Sequence, residues 1–140
     1  MKLNITTVDY APEDLYAQLP ICVELIREIA GEDRPDYWIA RADEQIKWNN
    51  RGTHQSVDYL VLCARYAGEN IELCTDGLAI GIAYVLDESV LNDETLVFDK
   101  IQYVAIGLAS KEDLNAGKRW ASKDIAGYIN AAFGLGKKRR

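Results

Sequence analysis

The sequence predicts an α+β fold: an antiparallel sheet of about five to six strands with helices packed on one face. Three observations predict it. First, the runs DYLVLCARYA (58–67), LAIGIAYVL (78–86) and IQYVAIGLA (101–109) are almost uncharged and rich in Val, Ile, Leu and Tyr. Such runs read as strands covered on both faces. Second, the stretches 20–30 and 122–133 place apolar residues at helical spacing. Third, the links between 46 and 86 are short and turn-like, which leaves no room for parallel crossovers.

Residues 3–8 (LNITTV) alternate and read as a strand at a sheet edge. Pro12 begins a helical turn, with Glu13 and Asp14 near its positive end. Pro20 interrupts that turn. Cys22, Leu25, Ile26 and Ile29 then fall on one helical face, and Gly31 sits where a left-handed cap belongs. The stretch 37–48 has two readings. As a strand it sets Trp38, Ala40, Ala42, Ile46 and Trp48 on one face, with Glu44 and Ile39 as misfits. As a helix capped by Asp33 it groups Trp38, Ile39, Ala42 and Ile46. The strand accounts for both tryptophans and is preferred.

NNRG (49–52) is a turn signal, and AGEN (67–70) reads as a two-residue hairpin that sets Cys63 opposite Cys74. TDG (75–77) is the next turn. Residues 87–99 form a long acidic link with a helical turn starting at Ser89. Pairing of 78–86 with 100–109 sets Tyr84 beside Val104 and Gly81 beside Gly107, a dent or bulge in mid-sheet. Ser110 with Asp113 would cap a short turn. The last helix, 122–133, carries Ile125, Ile129, Ala132 and Phe133 on one stripe and ends at Gly134 and Gly136.

A chain of 140 residues is expected to form one domain, 1–134, followed by a basic and disordered tail, 135–140. No apolar stretch approaches the ~20 residues of a membrane helix. The opening MKLNITTVDY lacks the apolar segment of a signal peptide. Three cysteines (Cys22, Cys63, Cys74), without metal-ligand spacing, point to a reduced cytoplasmic protein. The net charge is −6, and the tail holds four of the 16 basic residues, Lys137, Lys138, Arg139 and Arg140. The other 136 residues balance to −10. That charge repels nucleic acid and anionic membrane and favours a basic protein partner.

The candidate residues follow from these patterns. One histidine, His54 beside a turn, is too little for triad or zinc chemistry and reads as a surface residue. Cys63 and Cys74 form a possible redox pair under the expected register, against a plainer role as two buried apolar side chains. Asp87, Glu88, Asp93, Glu94 and Asp99 offer an acidic surface; their spacing is not that of a calcium loop. Arg34, Asp36, Tyr37, Trp38, Arg41 and Trp48 are residue types that dominate binding hot spots, unless the tryptophans are core. The AGKR string at 116–119 lacks the glycine and hydroxyl residue of a phosphate loop.

No catalytic residue, metal site or cofactor is implied. The expected function is non-enzymatic: an inhibitor- or immunity-like interaction protein whose acidic surface meets a basic partner. The alternative is a small-molecule-binding protein or carboxylate-based enzyme with a pocket between sheet and helices, and carboxylates such as Glu44 as the acid/base candidates. The pocket would be walled by Trp38 or Trp48 with Tyr84 or Tyr103, and floored by Gly81 and Gly107. A homodimer joined through an open edge at 3–8 is a third expectation.

Overall fold

Each strand of the protein pairs antiparallel with the next, and the last returns to the first. The computed structural model describes residues 1–73 and 77–111. Its strands are β1 (Lys2–Asp9), β2 (Ile21–Ile29), β3 (Tyr37–Asn50), β4 (Thr53–Ala64), β5 (Leu78–Val85) and β6 (Ile101–Lys111). Pairing of β1 with β6, from Leu3 opposite Lys111 to Asp9 opposite Ile106, closes them into a barrel. The α+β expectation is therefore overturned. The described residues contain one α-helical turn, α1 (Glu13–Tyr16), and three short 3₁₀ turns. The edge expected at 3–8 is absent too, because β1 is paired on both sides. The expected helix 122–133, the tail 135–140, Cys74 and Asp113 lie outside the described residues.

The expected helix at 20–30 is β2, and the cause of the misreading is a bulge. Leu25 pairs with Ala40 but Arg27 pairs with Ile39, so Ile26 is an extra residue. Before the bulge, Ile21, Val23 and Leu25 point into the barrel; after it, Ile29 packs outside with Tyr37 and Ile39. A bulge that swaps the faces turns a period of two into spacings of three and four. Similar shifts in β1 (between Ile5 and Thr7) and between β5 and β6 (at Ile82 and Ala83) bend the sheet toward closure.

The stretch 37–48 is a strand, as preferred. Its two misfits have separate causes: Ile39 is covered from outside, and Glu44 sits in a bulge. The NNRG turn is a two-residue hairpin in which Arg51 (φ 52°) and Gly52 (φ 83°) both hold left-handed values. That pair matches the twist of the flanking strands. The hairpin expected at 67–70 does not form. β4 pairs with β5 from Ala64 opposite Ile80, so Cys63 faces Gly81. The expected β5–β6 register is off by one or two residues: Tyr84 faces Gln102 and Gly107 faces Ile80.

A six-strand barrel is narrow enough for side chains to fill. Leu3, Ile5, Val23, Leu60, Leu62, Ile80, Ile82 and Tyr84 do so, with Trp48 stacked on Tyr84 at 4.4 Å between ring centroids. The α1 turn plugs one side. Leu15 is buried beneath it. Gln18 takes the place of a neighbouring strand: its Nε2 donates to the Lys47 carbonyl at 2.5 Å and its Oε1 accepts from the Lys47 N–H at 2.9 Å.

Residues 87–100 cross the outer face of the barrel as a strap. Val90 and Leu96 join an outer apolar cluster with Val61, Ala83, Val85 and Ile101. This second apolar layer explains why the second half of β4, from Leu60 to Ala64, and β5 lack polar residues on either face. The helical turn expected at Ser89 is a 3₁₀ turn, Glu88–Asn92, capped by Asp87, which accepts from the Ser89 N–H at 2.9 Å. Arg27 fixes the far end of that turn, donating to the carbonyls of Leu91 at 2.9 Å and Asp93 at 2.5 Å.

Candidate functional site

The ladders of β3 are interrupted near its middle. β3 pairs with β2 only as far as Val23 opposite Ala42. Its pairing with β4 jumps from Arg41–Tyr59 to Ile46–Val57, so residues 42–45 have only Asp58 opposite. Asp43, Glu44 and Gln45 are exposed and stand outside the register of both neighbours. Clefts open on both sides of them. One, of about 570 Å³, lies between Pro20–Cys22 of the β2 start and Asp43, Glu44 and Gln45. The other, of about 430 Å³, is lined by Arg41, Asp43, Gln45, Asp58, Tyr59 and Glu88.

The charge here is mostly negative. Asp43 accepts from Lys2 Nζ at 2.8 Å, and Gln45 Nε2 donates to Asp58 at 3.2 Å. Glu44 and Glu88 make no ion pair among the described residues. The described residues as a whole carry nine basic and eighteen acidic side chains, a balance of −9. Four carboxylates around two clefts suit cationic side chains. No nucleophile is set beside a base there, and His54 is exposed on the β3–β4 hairpin.

The residues singled out from the sequence divide. Of the strap acids, Asp87 caps a turn and Asp93 pairs with Lys100 at 2.6 Å, so both have structural duties. Glu88, Glu94 and Asp99 are exposed, and of these Glu88 reaches the β3 bulge. Trp48 is barrel core, 5% exposed, and only its edge borders a cleft, with Asn50, Gln55 and Gln102. Trp38 is half-buried against the same core. Arg41 is exposed and lies 3.6 Å from Glu24. Cys63 is a buried free thiol, and burial pushes its pKa up. Asp43 and Asp58 went unsuspected in the sequence. The one signal for the bulge was Glu44, the acidic misfit on an apolar face.

Arg34, Asp36 and Tyr37 form a second polar cluster, with a structural task. Arg34 grips Asp36 through Nε at 2.6 Å and a second nitrogen at 2.9 Å, and donates to the Ala64 carbonyl at 2.7 Å. This ties the β2–β3 link to the end of β4. Tyr103 donates to the Tyr37 hydroxyl at 3.1 Å, and Tyr37 donates to Asp33 at 2.8 Å. Burial and these bonds hold the Tyr37 phenol protonated well past its ordinary range.

The Arg34 hydrogen bond holds the Asp36 carboxyl below its usual range, more than burial raises it, and the Gly68 N–H adds to the effect. A lowered folded-state pKa means stability that is present above about pH 4, the unfolded value, and lost as pH falls through the folded one. Asp36→Asn is expected to flatten that acid limb. Melting temperatures from about pH 6 to pH 2 would fall less steeply in the variant; parallel curves would refute the assignment.

Comparison with protein families, curated proteins and solved structures finds no match to this chain.

Proposed function

We propose that the protein is a non-enzymatic binding module that meets a basic protein partner on the acidic face around the β3 bulge. The observation that carries this reading is the interruption of the β3 ladders, where Asp43, Glu44, Asp58 and Glu88 border two clefts. The filled barrel interior supports it as well, since binding is left to the outer surface. Charge of one sign around a cleft steers an oppositely charged partner and speeds its encounter.

The test is affinity capture from native lysate at low and high salt, repeated with Glu44→Lys/Asp58→Lys and with Glu94→Lys/Asp99→Lys. A basic protein is expected to be held at low salt and released at high salt. Its association with the first double variant should slow by about tenfold, with a smaller change for the second. Binding that ignores salt, or survives reversal of Glu44 and Asp58, would sink the proposal.

A further inference from the structure

A different part of the surface carries the opposite character. On the outer face of β4, β5 and β6, Ile106 faces Gly81 and Gly81 faces Cys63. Gly81 has no side chain, so the row of side chains dips there. The result is a trough of about 390 Å³ lined by Tyr10, Cys63, Arg65, Gly81, Tyr103 and Ile106. That volume and a mainly apolar lining with few polar groups are those of small-molecule sites. Spanning three strands makes the floor about 10 Å long.

The walls are apolar but open. Tyr10 is 82% exposed, Tyr103 54% and Ile106 40%. Tyr10 overhangs one end at φ 53°, held there while Asp9 accepts its N–H at 2.9 Å. A non-glycine residue at that angle is uncommon and costs conformational energy. Arg65 stands at the other end, stacked on Tyr66 at 5.5 Å, and makes no ion pair among the described residues. The two ends differ in charge: the carboxylate of Asp9 sits by Tyr10, the guanidinium of Arg65 opposite. Between them the Cys63 thiol is a neutral wall.

We infer that this trough binds a flat, apolar carboxylate, its ring over Gly81 between Tyr103 and Ile106 and its carboxylate on Arg65. A planar ring fits a floor without a side chain, and tyrosines prefer to meet rings by stacking or by an edge. A guanidinium pairs with a carboxylate through two parallel hydrogen bonds. The like charge of Asp9 beside Tyr10 disfavours the reverse orientation. The acidic body disfavours any anion, so the ring contacts must supply most of the binding and Arg65 the selection. This site stands apart from the acidic face and does not depend on it.

The experiment titrates the full chain with 2-naphthoate and with its neutral twin, 2-naphthalenemethanol, following the backbone amides of Gly81 and Ile106 by NMR. Naphthoate is expected to saturate these signals with one site. Arg65→Gln should weaken naphthoate about tenfold, the loss of one charge-assisted pair, and change the alcohol less than about twofold. Gly81→Ala should weaken both probes, since a Cβ there would lie 3.2 Å from Cys63 Sγ and raise the floor. Should that variant misfold, Tyr10→Asn, which tolerates the left-handed angle at an exposed position, must weaken both instead. No saturable shift with naphthoate, or an unchanged acid-to-alcohol ratio in Arg65→Gln, would overturn the inference.

Discussion

Trp48→Ala is expected to lower the free energy of unfolding by about 3–5 kcal/mol, the range for removing a buried aromatic ring. Trp48 is 5% exposed inside the barrel and stacks on Tyr84, itself fully buried. Its loss leaves a hole against Tyr84 of β5, a strand hydrogen-bonded to β4 on one side and β6 on the other, which cannot move in to fill it. Domains of this size hold on the order of 5–15 kcal/mol, so the variant should lose a large fraction of its stability. Two comparisons make the result specific. Trp38→Ala, at a half-buried site, should cost about 1–2 kcal/mol. Tyr84→Phe should be close to neutral, because its buried hydroxyl has no hydrogen-bond partner among the described residues. Urea denaturation measures all three. Equal losses at Trp38 and Trp48 would contradict a filled interior.

The second large effect concerns the strap. Arg27→Met is expected to cost about 2–4 kcal/mol, from two charge-assisted bonds and the covering that depends on them. The guanidinium answers the Leu91 and Asp93 carbonyls at the end of a short 3₁₀ turn, beyond the Val90 carbonyl that the Asp93 N–H serves. Arg27→Lys should recover only part of the loss, since a single ammonium lacks the planar spread of donors. The informative readout is local. The Leu96 N–H donates to the Ala30 carbonyl at 2.7 Å, and the Leu86 N–H to the Lys100 carbonyl at 2.8 Å. In Arg27→Met both amides should exchange with solvent well before the amides of β4. Unchanged protection at Leu96 would show that the strap is held without Arg27.

How far the sequence could be read depends on where the strands bulge. β4, β5 and β6 are legible because their apolar runs are long; β3 is legible only through its alternation, which leaves a helix as the other reading, and the acids of the strap mask the covering role of Val90 and Leu96. β2 was not legible. Its bulge at Ile26 moved Ile29 to the outer face and gave the strand the spacing of a helix. Closure was illegible for a different reason: no local pattern in β1 or β6 records that they meet. The charge of the acidic face could be counted, but its location could not. Asp43 and Asp58 come together only because 42–45 loop out of the ladder. The trough was half legible. Gly81 and Tyr103 were foreseen as floor and wall, whereas Gly107 lies packed under Thr7, Ile82 and Val8, and the tryptophans belong elsewhere.

Closure between β1 and β6 also orders events in time. Of the six strands β1 comes earliest in the chain, yet it waits for the strand containing residues 101–111, and until that strand arrives both β1 and β5 present bare backbone to solvent. A pairing this distant in sequence makes for slow, late-committing folding. It also leaves a nascent chain with two adhesive edges that the finished molecule lacks.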